Sequence, residues 1–377
     1  MQKKYRAGIV GCGAISRAHA KTYQKHERVD LVAAADINPH ALKIFTEEFS
    51  VSSTYTDYKE MLDKEDLDIV SVCTWHGSHA EVTIAAAEKG VKGIICEKPM
   101  CINLGQADAM IKACEKSGTK LTVEHNKRYD PVNIEARRLI RDGAIGQPII
   151  ILSRTSSGLL NWGTHMIDQA RYLLGDPKTE WVIGQVERKT DRYERHVRIE
   201  DLCMGLVCFS NGTRFVIECD LPGPEFSTVR NPTIVYGSEG MLVPSTNLLL
   251  LNKTGWKEIK IERKRKDGLL MHLEELIAWI EGKINEHRCS GRQARCTVEI
   301  MMSIYESLRI KGLVRMPLKT KENPLEMMIK DGTLPVEKPG KYDIRIPSPF
   351  WNDKMKKAYE VGEVGSVSYT HLRAHET

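Results

Sequence analysis

At 377 residues the chain is too long for one ordinary hydrophobic core, and length alone points to about two domains. Its 41% apolar and 28% charged residues match a soluble globular protein, and no stretch approaches the roughly eighteen apolar residues of a membrane span. A formal charge of +5, from 55 basic and 50 acidic residues, is too weak and too spread out for a nucleic-acid partner; the densest basic run, ERKRK at 262–266, has no interleaved aromatics. The ten cysteines include no CxxC pair and no zinc-type spacing, and Cys73, Cys96 and Cys208 lie inside apolar runs, which fits a reducing compartment. The start, MQKKYRAGIVGCGAIS, mimics a signal peptide, but glycines interrupt its apolar part and no small-residue cleavage site follows, so a cytoplasmic location is expected.

Over the first 125 residues strand and helix patterns alternate. AGIV reads as a strand and ISRAHAKTYQKH as a helix. VDLVAAAD is the next strand, after which Asn38 caps a helix with Pro39 at its first position. LDIVSVCT and GIICEK are buried strands flanking the helix SHAEVTIAAAEKG, and NLGQADAMIKACEKSG with KLTVEH completes the series. Such alternation predicts a doubly wound parallel sheet. From about residue 150 the character changes. DLCMGLVCFSNGTRFVIECD holds two apolar runs joined by Asn211-Gly212, a hairpin signal, and PTIVYGSEGMLVP, NLLLLN and WKEIKIE continue as short strands of a mostly antiparallel sheet. Long helical patterns follow near 268–286 and 291–312, then a Pro-, Lys- and Gly-rich stretch over 317–366 that reads as an extended arm. The last eleven residues, VSYTHLRAHET (367–377), fit no preceding pattern and resemble a translated sequencing-library adapter, so they are expected to be non-native.

GIVGCGAIS (8–16) sets Gly11-x-Gly13-x-x-Ser16 directly after a strand and at the opening of a helix. Gly11 allows the tight turn, Gly13 lets the backbone approach a pyrophosphate, and Ala14 and Ile15 begin a helix whose free N–H groups and positive dipole end face it. Ser16 stands where a third glycine is usual and is small enough for close packing. Asp36 follows twenty residues after Ser16, at the end of the second strand. Its carboxylate accepts hydrogen bonds from ribose hydroxyls and repels a 2′-phosphate. At about 4 Å and an effective dielectric near 20, each unit of like charge costs about 4 kcal/mol, so NAD is expected over NADP. Ligands sit outside the carboxyl ends of strands in such a sheet, which places Thr74, His79, Glu97 and Lys98 around the cofactor crevice.

In NWGTHMID (161–168), a helical reading brings Asn161, His165 and Asp168 onto one face. The glycine loop, Asp36, EKP at 97–99, HNKRYDP at 125–131, GAIGQP at 143–148 and NWGTHMID together resemble the Gfo/Idh/MocA oxidoreductase family, to about residue 315. The resemblance implies a Rossmann domain (1–125) followed by an α/β domain (126–316) whose open, mostly antiparallel sheet covers the nicotinamide, with sugars, inositols or their derivatives as substrates. The family's EKP lysine maps to Lys98. Its D-x-x-x-H pair maps to Asn161 and His165, so the histidine is kept and the aspartate is not. Hydride transfer at a carbinol carbon requires a proton to move at the oxygen, and an imidazole with an ordinary pKa near 6.5 suits that work. Lys98 polarises the same oxygen or acts as its base. Asn161, Lys127 and Arg128 are candidate donors to substrate hydroxyls, and Asp168 is a candidate to orient His165 or touch substrate. No further ligand cluster supports a metal.

An NAD-dependent dehydrogenase of a sugar or cyclitol is therefore expected. An NAD-assisted glycosidase, working by oxidation, elimination and re-reduction, and a non-catalytic sugar-sensing regulator are the alternatives within the family; Lys98 and His165 together argue against the regulator. LCMGLVCF and FVIEC are apolar on both strand faces, so a second subunit is expected to cover one face, giving a homodimer or homotetramer.

Overall fold

A computed structural model describes residues 4–220, 233–245, 247–261 and 267–343. The basic run at 262–266 and the stretch at 367–377 lie outside the described residues.

The N-terminal half is a six-stranded parallel sheet built from β1 (Tyr5–Val10), β2 (Val29–Ala35), β3 (Ser53–Tyr55), β4 (Ile69–Val72), β5 (Gly93–Cys96) and β6 (Lys120–Val123). Helices α1 (Ala14–Lys25), α2 (Pro39–Phe49), α3 (Tyr58–Lys64), α4 (His79–Glu88) and α5 (Leu104–Ser117) connect them. β4 and β5 are buried along their whole length, as strands covered on both faces must be, which is why they read as unbroken apolar runs. The strand order β3-β2-β1-β4-β5-β6 reverses between β1 and β4, so a crevice opens outside their carboxyl ends. Asn38 caps α2 by accepting from the N–H groups of His40 and Ala41, with Pro39 at the first helical position.

After α6 (Pro131–Arg141) the chain builds a second sheet from β7 (Pro148–Thr155), β8 (Thr179–Glu187), β11 (Leu202–Phe209), β12 (Arg214–Cys219), β13 (Thr233–Gly237), β14 (Gly240–Pro244), β15 (Leu248–Asn252), β16 (Gly255–Ile259) and β17 (Val314–Arg315). Its order is β16-β15-β14-β13-β7-β12-β11-β8-β17, and of its pairs only β7 with β12 is parallel. Gly212, at φ +85°, makes the expected turn between β11 and β12. α7 (Thr164–Leu173) and α9 (Gly291–Ile310) lie against one face. Gly184 and Gly205 admit α9: a Cβ on either would come within 2.6 Å of the Ile304 side chain. The opposite face carries a continuous apolar row, in which Ile183 pairs with Leu206, Leu206 with Val216, and Val216 with Leu152. Ile183 is 43% exposed and the neighbouring Met204 45%.

Two boundaries differ from expectation. Helix α8 (Gly268–Ile280), grouped above with the second domain, packs on the first: Leu273, Leu276 and Ile277 share a core with Tyr5, Ala7, Ile9 and Ile95. It follows the second sheet in sequence but fills a face that the alternating helices leave open, a matter of packing that periodicity does not record. Nor are residues 317–343 a simple arm; the rest of that expected arm, 344–366, lies outside the described residues. The described part contains α10 (Pro324–Lys330) and β18 (Lys338–Asp343), which pairs with a small hairpin of β9 (Thr190–Glu194) and β10 (Val197–Arg198). No helix among the described residues is long and apolar enough to cross a membrane.

Candidate active site

The glycine loop has the shape its residues require. Gly11 sits at φ +92°, and a Cβ there would lie 2.7 Å from the carbonyl carbon of Cys73 and 2.8 Å from the nitrogen of Thr74. Helix α1 starts at Gly13 without a side-chain cap and without an acidic residue in its first turn. Its N–H groups and dipole are therefore left for an anion from outside the helix. Ser16 is fully buried and its hydroxyl donates to the Gly13 carbonyl, so it does pack in the glycine's place. The Asp36 carboxylate ties the crevice together, accepting from Cys12 N at 2.7 Å and Asn38 N at 2.8 Å. It lines a cavity of about 770 Å³ with Ile37, Tyr58, Thr74 and Trp75. A carboxylate has about four acceptor sites, so these bonds are compatible with ribose hydroxyls. An uncapped helix start beside a buried carboxylate fits a dinucleotide with an unphosphorylated ribose.

Two residues expected around the cofactor brace its crevice, His79 from behind and Glu97 at the wall. His79 is not on the rim: it is buried, its ring nitrogens each 2.8 Å from the carbonyls of Thr74 and Pro99, and burial pushes its pKa down to about 4. It braces the loops after β4 and β5. Glu97 is buried, and although burial opposes ionisation, its contact with His19 Nε2 at 3.1 Å holds its pKa below the ordinary value. Its other oxygen accepts from the backbone N–H of Lys98 at 3.2 Å, fixing the turn that carries the lysine.

From that turn the Lys98 ammonium reaches across to the second domain and donates to Asn161 Oδ1 at 3.0 Å. The backbone before Asn161 is clamped by two carboxylates. Asp220 accepts from the N–H groups of Ser157 and Gly158, both at 2.7 Å, and Glu200 accepts from Leu159 N and from the Tyr305 hydroxyl, both at 2.6 Å. These bonds hold Ser157 at φ +66° and Gly158 at φ +80°. A single π-turn, Leu159–Gly163, then runs into α7, where a plain α-helix was expected. Asn161 and His165 nevertheless arrive together. His165 is 6% exposed, with the Trp162 ring at 5.3 Å and the His125 ring edge-on at 6.3 Å. Burial, then the positive charge of Lys98, holds its pKa well below the ordinary value, so it is neutral at pH 7. Asn161 Nδ2 and His165 Nδ1 are buried without a partner among the described residues. Buried polar atoms of this kind call for a bound group that can satisfy them.

Arg128 and Asp168, expected to face substrate, do not. The guanidinium donates to both Asp168 oxygens at 2.8 Å, and continues to Asp176 and the Arg288 carbonyl; both residues are 1% exposed. Although burial opposes it, Arg128 brings the Asp168 pKa down to about 2. The nearest imidazole to that carboxylate is His125, at 3.8 Å, so Asp168 does not orient His165. Lys127 stays half-buried, its pKa lowered by burial, and its charge reaches His165. No group of three or more His, Cys, Asp or Glu among the described residues is arranged to hold a metal.

The structure also brings to the crevice residues that sequence reasoning missed. The β9–β10 turn is Arg195-His196, at φ +49° and +62°, a two-residue mirror-image turn that usually carries Asn-Gly and costs these side chains about 1 kcal/mol each. Without a turn dipeptide YERHVR gives no hairpin signal. Asn323 and Lys330, at the ends of α10, line the large cavity beside it.

The fold and site thus describe a two-domain oxidoreductase with a dinucleotide crevice. The chain belongs to the Gfo/Idh/MocA family: a model of the oxidoreductase family with NAD-binding Rossmann fold matches residues 5–125, and the GFO/IDH/MocA C-terminal domain matches 153–243, together more than half of the chain. It is accordingly an NAD-dependent oxidoreductase. D-apiose dehydrogenase of Paraburkholderia graminis is 29% identical over 64% of this chain and 67% of that protein. Myo-inositol 2-dehydrogenase of Thermotoga maritima is 30% identical, over 46% of this chain and only 56% of its own length. Levoglucosan dehydrogenase in complex with NADH and levoglucosan superposes with a TM-score of 0.73, at 21% identity, over 84% of this chain and 100% of that one.

Proposed function

We propose that this protein moves a hydride between NAD and a secondary alcohol carbon of a sugar, inositol or related polyol, with Lys98 and His165 handling the proton. The observation that carries this reading is the cross-domain contact of Lys98 Nζ with Asn161 Oδ1, beside a buried neutral imidazole and next to the crevice. NAD, when bound, supplies the hydride acceptor. The chain supplies the rest. His165, neutral at pH 7, accepts the hydroxyl proton as the carbinol is oxidised, while the Lys98 ammonium and Asn161 Nδ2 donate to the same oxygen and steady its developing charge. Asp36 favours NAD over NADP, and Lys127, half-buried with its charge felt at His165, is the remaining candidate donor to a substrate hydroxyl. The apolar row on the exposed sheet face is the surface on which a second copy packs, giving a homo-oligomer; light scattering that finds a clean monomer at micromolar concentration removes that part of the proposal.

The decisive experiment follows NADH fluorescence with sugars, sugar acids, inositols and aryl glycosides. Net NADH with one class supports the dehydrogenase. Aglycone release without net NADH moves the assignment to the redox-assisted glycosidase, and binding without turnover of any class moves it to a sensor.

A further inference from the structure

We infer that Arg195, delivered by the second domain's hairpin, binds the diphosphate of the dinucleotide. Two cavities meet at the crevice. The larger, with Asp36 and Tyr58, is the ribose end; the smaller, a gap of about 10 Å³ against Ile15, Glu97 and Lys98, leads toward the reactive end. Three residues line both, Thr74, Trp75 and Arg195, and Arg195 is the one cation among them. A dinucleotide running from the ribose end toward Lys98 passes this waist with its diphosphate. There it also meets the uncapped start of α1, which Ile15 marks in the smaller cavity.

Arg195 is 3% exposed and its placement is enforced. The left-handed turn sets its backbone, Glu194 accepts from Nη1, and Glu194 Oε2 lies 2.5 Å from Nε2 of His76, on the loop after β4. The Trp75 and His196 rings are 5.1 Å apart on the same seam. A guanidinium is a planar fork of N–H donors whose geometry matches phosphate. Glu194 and His76 are then positioning residues. The inference rests on NAD as cofactor and is independent of the sugar substrate.

Titration calorimetry with NAD and ADP-ribose, and ligand-observed NMR with adenosine, test it on the whole protein and on Arg195→Ala, Arg195→Gln and Arg195→Lys, with melting temperatures as the folding control. Loss of one charge-assisted contact is expected to weaken NAD and ADP-ribose about tenfold to hundredfold in the Ala and Gln variants. Adenosine, which has no phosphate, is expected to bind as before, and the Lys variant to recover part of the loss. Unchanged ADP-ribose affinity overturns the inference. Equal weakening of adenosine shows a merely structural role and overturns it too, and tighter binding in a folded variant shows that the tip obstructs the crevice. Should the Ala variant fail to fold, the Gln and Lys pair decides between these outcomes.

Discussion

Helix α7 carries two buried polar residues three positions apart whose fates are opposite. His165 meets its surroundings through rings and through the charge of Lys98, with one nitrogen left without a partner among the described residues. Asp168 is gripped on both oxygens by Arg128 and tied through it to Asp176. The first is destabilised in its charged form and so stays a neutral base; the second is stabilised in its charged form and so stays inert. Burial is nearly the same in both, so the partner supplied by the rest of the fold decides which residue keeps a nitrogen open to chemistry and which one supports.

Removing the reactive member gives the largest effect. His165→Ala is expected to lower turnover by about 10² to 10⁴ with little change in NAD affinity or melting temperature. Lys98→Ala is expected to do comparable damage, and the double variant less than the product, because both serve one oxygen. Undiminished turnover in His165→Ala returns that face to the core. Removing the supporting member instead strikes stability: Asp168→Ala leaves Arg128 buried without its main partner and is expected to cost about 3–5 kcal/mol in urea unfolding. Because the folded pKa of Asp168 is depressed to about 2, its contribution is present above the unfolded value near 3.8 and is lost as pH falls from there toward 2. A wild-type unfolding free energy that stays level across that window contradicts the ion pair.

Another buried carboxylate sharpens the contrast because no guanidinium meets it. Glu124 lies 2.7 Å from His272 Nδ1, and burial, with the charge of Glu97, pushes its pKa up to about 8, while burial takes His272 down to about 3. The pair is neutral at pH 7. A raised carboxyl pKa means stability is fully present below the unfolded value near 4.5 and declines as pH rises through 8. Glu124→Gln is therefore expected to flatten the melting-temperature profile from pH 5 to 8 and to raise it by a few degrees at pH 7. A variant whose profile falls as steeply as the wild type refutes the neutral pair. The smallest change is the most specific. Asn161→Asp puts a carboxylate against Lys98 and near His165, which favours the imidazolium and is expected to move the rising limb of the rate profile upward by up to about one pH unit. A downward move contradicts this placement of His165.

Much of the cofactor half was legible because its signals are local. Gly11, Asn38 with Pro39, and Asp36 each act within one strand–turn–helix unit, and the backbone geometry that demands them is written in consecutive residues. The other half was legible only in outline. The EKP and NWGTHMID segments named Lys98, Asn161 and His165, yet a place after the sixth strand promoted Arg128, and the helical spacing Asp168, to substrate contacts, since neither position reveals which residue another segment will neutralise. His79 fell the same way: its position after a strand is that of a ligand residue, and only the carbonyls of Thr74 and Pro99, twenty-five residues apart, show it bracing instead.

By itself, then, the sequence determined the periodic elements, the turn at Gly212, the glycine loop and the residue types able to move a proton, because propensity, capping and φ constraints act over a few residues. Tertiary structure decided that α8 belongs to the first sheet, that Arg128 neutralises Asp168, that Arg195 of an unmarked turn reaches the crevice, and that His165 remains a neutral base. Those outcomes depend on desolvation and on charges brought together from distant parts of the chain, and neither exists until the chain has folded.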